Sequence, residues 1–208
     1  MSWTARSRET KRRLDYELIS ELVPHHSRIL DLGCGDGQLL ADLMHNKNCE
    51  VRGIEIDQAH VRNCIQRGLP VYHGDMLEGM QHYRDGSFDL VILSQTLQQA
   101  TDPIRVIHAM LRVGQRAIIS FPNFGWWHTR LQLLLTGRMP RHRLLPYEWY
   151  NTPNVHLCTV KDFRALCREE GLDVLHEIFL APPARRVGPL LSNWRAGLAI
   201  FEVRKADS

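Results

Sequence analysis

The chain has 208 residues, an apolar content of 44% and no Pro-, Gly- or Ser-rich linker, so it can bury one sizeable core and we expect a single domain, 1–208. No apolar run approaches the roughly 20 residues that span a bilayer, and the polar, basic N-terminus lacks the apolar segment of a signal peptide, which predicts a soluble, cytoplasmic protein. The net charge of +3 is too small to favour a nucleic-acid-binding protein.

The first predicted elements are an amphipathic helix within 1–27 and a buried strand that ends in a glycine-rich turn. The helix has one apolar stripe, formed by Leu14, Leu18, Ile19, Leu22 and Val23. The strand runs into Gly33, Gly35 and Gly37, and the next helix begins at about Gln38. Glycine adopts backbone angles that other residues resist and lets a ligand approach the main chain. Because a helix N-terminus also presents unpaired amides, we expect free backbone N–H groups at this turn.

The spacing of the glycines favours S-adenosylmethionine over a dinucleotide as the ligand. The dinucleotide fingerprint G-x-G-x-x-G would need a glycine where this chain has Gln38. Asp31, at the end of the strand, would repel a pyrophosphate but attract the ammonium group of S-adenosylmethionine. The alternative is a turn that serves only strand-to-helix packing, and within it Cys34 is expected to be a small packing residue.

Acidic residues follow the next two predicted strands as well. Glu55 ends the second strand, twenty positions after Gly35, where a carboxylate accepts both ribose hydroxyls. Asp57 is instead expected to cap the following helix. The third strand leads to Asp75 and Met76, an acid and an apolar neighbour that suit the amino edge and the face of adenine. Any one of these acids could be an ordinary loop residue, but the ordered set resembles the class I S-adenosylmethionine-dependent methyltransferases.

The later elements continue the alternation of strands and helices, which predicts a largely parallel, doubly wound sheet. Four more strands are expected over 88–93, 117–121, 174–180 and 198–203. One helix follows Asp102 and Pro103, and its core face is predicted to hold Ile104, Ile107, Met110 and Leu111. Another follows a capping box of Thr159 and Asp162 and ends at Gly171. The resemblance implies a Rossmann-like α/β class I methyltransferase fold, with a mostly parallel seven-stranded sheet, helices on both faces and a final antiparallel strand.

The candidate cofactor-binding residues lie in the loops after the first four strands. They are Asp31, Gly33, Cys34, Gly35, Gly37, Glu55, Ile56, Asp75, Met76 and Ser94. The loop that begins at Ser94 reads S-Q-T-L-Q, and its amides bind and orient a substrate but cannot move a proton, so it supplies no general base. It also lacks the [DN]-P-P-[FY] signature of base-modifying amino methyltransferases.

Residues 122–158 form an insertion rich in aromatic residues and arginine. The chain reads F-P-N-F-G at 121–125, G-R-M-P at 137–140 and L-P-Y-E-W-Y-N-T-P-N-V-H at 145–156. With S-Q-T-L-Q and the basic opening K-R-R-L-D, these strings closely resemble the MetW family of bacterial methionine-biosynthesis proteins over nearly the whole chain. Trp126 is a local departure from the family pattern.

The resemblance implies an accessory protein. MetW proteins are linked to homoserine O-acyltransferase, the MetX-type enzyme that transfers an acetyl or succinyl group, as a partner that supports its activity. S-Adenosylmethionine or S-adenosylhomocysteine would then be a signal or a structural cofactor. The insertion is either a partner surface, since such surfaces favour Trp, Tyr, Met and Arg, or a lid packed into the domain's own core.

Two other functions stay open. An active methyltransferase on a small molecule needs little beyond positioning of donor and acceptor. Its catalytic residues are unknown, and the titratable candidates are Tyr147, His156 and His128. An RNA methyltransferase is suggested only by Arg138 and its neighbours Arg141 and Arg143, without the interleaved aromatics that stack on bases.

Cysteine and histidine argue against metal binding. The five cysteines are an odd number without a C-x-x-C pair, and none of the eleven histidines has a metal-ligand spacing such as H-E-x-x-H. We therefore expect neither a disulfide framework nor a metal site.

Overall fold

The computed structural model describes residues 15–183 and 185–206. The strands are β1 Arg28–Leu32, β2 Glu50–Glu55, β3 Val71–His73, β4 Phe88–Ser94, β5 Gly114–Pro122, β6 Leu172–Ala181, β7 Arg185–Val187 and β8 Leu198–Lys205. The helices are α1 (15–22), α2 Gln38–Lys47, α3 Gln58–Gln66, α4 Met76–Gln81, α5 Pro103–Val113, α6 Trp127–Thr136, α7 Val160–Glu169 and α8 Ser192–Arg195, with a 3-10 helix at Leu97–Gln99. Hydrogen bonds connect the strands in the order β3-β2-β1-β4-β5-β8-β6-β7.

The chain divides into two compact units, Met1–Ser94 with Ile104–Ile118 and Gln95–Pro103 with Ile119–Ser208. In the first unit β1 pairs in parallel with β2 and β4, and β2 pairs in parallel with β3. Asp31 is in register with Gly53, and Glu55 with His73. Because parallel strands end at the same edge of a sheet, the loops that follow β1, β2 and β3 meet there.

The second unit is antiparallel, since β6 pairs with both β7 and β8 in that sense. Its core contains a cluster of aromatic rings that strands and α7 bring together. Phe121 lies 5.0 Å from Phe163 and 5.8 Å from Phe201 between ring centroids, and all three side chains are fully buried. These contacts fix the end of β5 and the start of α7, the two elements that flank the insertion.

The predicted α/β fold is confirmed, with an eighth strand beyond the seven expected. That strand, β7, has three residues and pairs only at the end of β6, too short for an alternating pattern to reveal. The described part of the N-terminal helix buries Leu18 and Ile19, whereas Leu14 lies outside the described residues. Prediction of a single domain stays a prediction. Within the described ranges no helix is long and apolar enough to cross a membrane.

One predicted core position is wrong. Ile104 is 43% exposed, while Val106 and Val113 are buried beside Ile107 and Met110. The apolar face of α5 is therefore rotated toward the valines, and Ile104 lies in the first turn outside it. Spacing alone admits both faces, because an isoleucine at 104 and a valine at 106 both continue the pattern.

Candidate functional site

The turn after β1 has the backbone geometry that its glycines predict. Gly33, Gly35 and Gly37 have φ angles of 68°, 57° and 76°, all in the left-handed region that favours glycine. A Cβ atom on Gly37 would come within 2.9 Å of the Cys64 sulfur, so packing also requires glycine there. A Cβ atom on Gly35 would meet nothing within 4 Å. The turn is thus packed on one side and open at Gly35.

The expectation of free amides in this turn is wrong for the first three residues. The N–H groups of Gly33 and Cys34 donate to the carbonyl oxygen of Ile54, at 2.8 and 3.3 Å. The N–H group of Gly35 donates to Glu55 Oε2 at 2.7 Å. The acceptors belong to the end of β2, about twenty residues along the chain, so no local pattern could reveal them.

Glu55 is held firmly at the edge of the glycine turn. Its side chain is 6% exposed, and Oε1 accepts from the N–H groups of Ile56 and Asp57 at 2.9 Å each. A carboxylate has about four acceptor positions, and three backbone donors leave capacity for a ligand hydroxyl. The geometry therefore fits the predicted role of Glu55 toward ribose hydroxyls.

Asp31 is a buried acid without a compensating charge. It is 3% exposed, and burial together with the nearby charge of Glu55 raises its pKa to about 8. No hydrogen bond or cation from the described residues offsets this rise. A ligand ammonium group would favour the ionised form of Asp31, so the site fits the positive end of an amino acid.

Two acids near the site also cap helices. Asp57 Oδ1 accepts from the N–H groups of Ala59 and His60, at 2.7 and 3.2 Å, which lowers the pKa of Asp57 and confirms the predicted cap of α3. Asp75 Oδ1 caps α4 in the same way, accepting from Leu77 at 2.8 Å and from the next amide at 3.3 Å.

The second cap was missed because Asp75 was assigned only to the ligand. An acid three positions later, Glu78, is the local signal that marks a helix start at Asp75. Asp75 is exposed. Its second carboxylate oxygen is not used by the cap.

The apolar candidates differ in exposure. Ile56 is 69% exposed, and Met76 at the start of α4 is half-buried. Cys34 is 3% exposed, and its sulfur would lie 2.6 Å from a Cβ atom on Gly53, so it packs against β2. The Cys34 and Cys64 sulfurs are 3.9 Å apart, and burial raises the pKa of both thiols. Ser94 ends β4 and is half-buried.

In the second unit, the F-P-N-F-G string holds a structural asparagine. Asn123 is 3% exposed, and its Nδ2 donates to the carbonyl oxygens of Asn193 and Ala196 at 3.1 and 2.7 Å. Its Oδ1 accepts from the N–H groups of Gly125 and Val160 at 3.0 and 3.2 Å. One side chain thus joins the end of β5 to the starts of α7 and the loop before β8.

The insertion places many apolar side chains at the surface. Trp149 is 72% exposed, Tyr150 69% and Tyr147 46%. Helix α6, which the sequence did not predict, buries only Thr129. Four of its residues form an exposed apolar stripe, named here the α6 stripe: Trp127, Leu131, Leu134 and Leu135. These positions follow i, i+4, i+7 and i+8 and therefore share one helix face.

The titratable candidates of the insertion make ordinary contacts. His128 stacks on Trp126 with ring centroids 4.9 Å apart. His156 is exposed, and its Nε2 lies 3.4 Å from the carbonyl oxygen of Thr101. Arg141 forms an ion pair with Glu148. Among the described residues, no group of three or more His, Cys, Asp or Glu side chains is placed to hold a metal ion.

Comparison with known proteins gives a family and a fold. The family model described as methionine biosynthesis protein MetW matches residues 13–203. The bifunctional methionine biosynthesis protein MetXA/MetW of Rhodopirellula baltica is 35% identical over 175 residues, which cover 80% of this chain and 28% of that protein. The chain therefore spans less than a third of the length of this relative.

Two solved structures share the architecture. A SAM-dependent methyltransferase from Thermotoga maritima, a possible histamine N-methyltransferase, has a TM-score of 0.68 at 16% identity, covering 98% of this chain and 92% of its own. Magnesium protoporphyrin IX methyltransferase from Synechocystis PCC 6803, solved with bound SAM, has a TM-score of 0.65 at 13% identity, with coverage of 99% and 85%. At these identities the likeness shows the fold alone, which is that of the class I SAM-dependent methyltransferases.

Proposed function

Because the chain belongs to the MetW family of methionine biosynthesis proteins, we propose that it is a SAM-binding activator subunit of a homoserine O-acyltransferase. The observation that carries this proposal is the relative named MetXA/MetW, in which a MetW portion similar to this chain is fused to a MetXA portion. Fusion holds two modules at high effective concentration, which is advantageous when they act together. In this chain, which lacks a matching MetX portion, association would have to occur through a surface.

The residues of the first unit fit SAM as the ligand. The ammonium group would lie near Asp31, whose buried carboxyl group has no cation partner among the described residues. The ribose hydroxyls would donate to Glu55, and adenine would contact Asp75 with Ile56 on one face. When bound, SAM supplies an electrophilic methyl group. S-Adenosylhomocysteine lacks that methyl group and would use the same contacts.

The α6 stripe is the surface that we assign to the acyltransferase. Leu134 is 80% exposed and Leu135 73%, values far above those of a helix that packs on its own domain. Contiguous exposed apolar side chains of this kind mark protein interaction sites. Leucines exposed on one helix face are suited to a groove on a partner protein.

Binding of SAM would connect this surface to the state of the pathway. SAM is made from methionine, so a subunit that binds SAM and activates the first committed step would provide feedback. Such feedback requires that SAM bind the free and the partner-bound subunit with different affinities, and the coupling is reciprocal. The proposed setting is the cytoplasm, without a role for membranes or nucleic acid.

The test is the turnover of the purified homoserine O-acyltransferase from the same organism, measured with and without this protein. We expect a rise in turnover and co-elution of the two proteins. A parallel series with SAM should change the activation if the ligand site acts as a sensor. Neither activation nor co-elution would reject the partner role.

An active methyltransferase on a small molecule is the second candidate function. One observation favours it: a pocket in the second unit is lined by His156, one of the titratable candidates. The measurement that separates the two functions is formation of S-adenosylhomocysteine from SAM by this protein, supplied with a cell metabolite extract. Sustained turnover would establish an enzyme, and product limited to the background rate would favour the activator.

A further inference from the structure

A pocket of about 130 Å³ lies wholly within the second unit. The 3-10 helix contributes Leu97 and Gln98, the end of β5 contributes Phe121, and α7 contributes Phe163 and Leu166. The remaining wall comes from the end of the insertion. A cavity of about 150 Å³ accommodates benzene, so the pocket has room for a ligand of about one ring.

The walls of the pocket carry no fixed charge. None of the lining residues is Asp, Glu, Lys or Arg. Cys158 is the lining thiol, and burial raises its pKa to about 12, so it stays protonated and neutral. His156, the other titratable lining residue, is exposed. A charged group inside the pocket would lose its hydration without gaining a counter-charge, so an uncharged ligand is favoured.

Gln98 gives this apolar pocket one specific polar feature. Its side chain is 7% exposed, and Nε2 donates to the carbonyl oxygen of Gln95 at 2.7 Å, which fixes the orientation of the amide. Oε1 is buried and has no hydrogen-bond donor within the part of the chain that the structure describes. Buried acceptors are almost always paired in native proteins, so an unpaired one beside a cavity calls for a ligand donor.

The backbone of Gln98 also holds the wall of the pocket in place. Its carbonyl oxygen accepts from the N–H groups of Val155 and His156, at 2.8 and 3.0 Å. The same residue therefore positions the insertion against the 3-10 helix and presents the unpaired amide oxygen. A packing defect between apolar side chains would need no such acceptor.

We propose that this pocket binds an uncharged, mostly apolar small molecule of about one ring that donates a hydroxyl hydrogen bond to Gln98 Oε1. An alcohol or a phenol is the chemical class that combines such a body with a neutral donor. The proposal concerns binding and involves no reaction. It is independent of the acyltransferase, because every residue that it uses belongs to this chain's second unit.

Phenol and benzene are the probes, since they differ by the one hydroxyl group. Their dissociation constants are measured by NMR titration of the full chain without any partner. We expect phenol to bind the wild type about tenfold more tightly than benzene, which corresponds to about 1.4 kcal/mol. Benzoate, which carries a charge on the same ring, should bind at least tenfold more weakly than phenol.

Three variants assign the effect to the pocket. Gln98→Met removes the acceptor at nearly constant length, so benzene should still bind while the preference for phenol disappears. Leu166→Trp fills the pocket and should abolish binding of both probes. Leu134→Trp, at an 80% exposed position of α6, is the matched control and should bind like the wild type.

Three results would overturn the proposal. They are wild-type protein that binds neither phenol nor benzene, wild-type protein that binds benzoate as tightly as phenol, and a preference for phenol that persists in Gln98→Met. The comparison with benzoate uses only the wild type, so the proposal stays testable even if Gln98→Met fails to fold. Failure of acyltransferase activation would leave all of these measurements unchanged.

Discussion

At the scale of single residues, Asp31 makes stability depend on pH. Its pKa of about 8 lies well above that of an exposed aspartate, about 3.9. Between these two values the folded protein binds more protons than the unfolded chain. The free energy of unfolding therefore falls as the pH rises from about 4 to about 8.

Asp31→Asn removes this ionisation. We expect the melting temperature of the ligand-free variant to vary less with pH, and to exceed that of the wild type at pH 8.5 by more than at pH 5. Differential scanning calorimetry across this range is the measurement, with Asp85→Asn at an exposed site as the control. Equal pH profiles for Asp31→Asn and the wild type would show that Asp31 is not the buried acid described here.

Two further acids determine the affinity for SAM in the proposed site. Glu55→Ala should weaken binding by about 1–3 kcal/mol, because ligand hydroxyls would lose a buried acceptor. Glu50→Ala, at the exposed start of the same strand, is the control and should bind normally. Isothermal titration calorimetry gives both affinities.

Asp75 needs a variant that separates ligand binding from helix capping. Asp75→Ala should weaken SAM binding by about 1–3 kcal/mol and destabilise the fold by about 1 kcal/mol through loss of the cap. Asp75→Ser preserves a capping oxygen and should restore the stability without restoring the affinity. If neither Asp75→Ala nor Glu55→Ala changes the affinity, the placement of the cofactor is wrong.

At the scale of elements, the aromatic strings of the insertion have two different roles. Asn123 of F-P-N-F-G makes four hydrogen bonds to the main chain and is buried. Trp149 and Tyr150 of L-P-Y-E-W-Y are exposed. The first string therefore supports the fold, and the second is available to a partner. A lid packed into the domain's own core does not account for the exposed rings.

The α6 stripe makes a prediction for partner binding. Leu134→Asp should weaken association with the acyltransferase at least tenfold, because it places a charge at the centre of the apolar face that would be buried. Ile65→Asp is the matched control, since Ile65 is 63% exposed on α3 in the first unit. Analytical size-exclusion chromatography with circular dichroism compares binding at equal folding. Equal loss in both variants, or in neither, would count against the α6 stripe.

At the scale of the whole molecule, ligand binding should be visible as stabilisation. SAM at a hundred times its dissociation constant should stabilise the folded state by about 2.7 kcal/mol. For a chain of this length that corresponds to a rise in melting temperature of roughly 5–10 °C. Thermal unfolding with SAM, S-adenosylhomocysteine and NAD compares the two ligand classes. No rise with either SAM or S-adenosylhomocysteine, or an equal rise with NAD, would contradict the predicted site.

Much of the fold could be predicted because it depends on residues that are close together in the chain. Three glycines at alternate positions require left-handed backbone, and the structure has it at all three. The capping box of Thr159 and Asp162 is confirmed at the start of α7. Each of these features depends on the chemistry of a few neighbouring residues, so the sequence alone determines it.

The sequence by itself determined the alternation of strands and helices, the glycine turn, most of the helix caps and the family. Only the tertiary structure decided that Glu55 covers the Gly35 amide, that Asn123 joins distant segments and that Gln98 has an unpaired oxygen. It also decided that the leucines of α6 are exposed, although their spacing would suit a buried face. Burial and hydrogen-bond pairing depend on groups brought together from far apart in the chain, and a local pattern does not specify which groups those are.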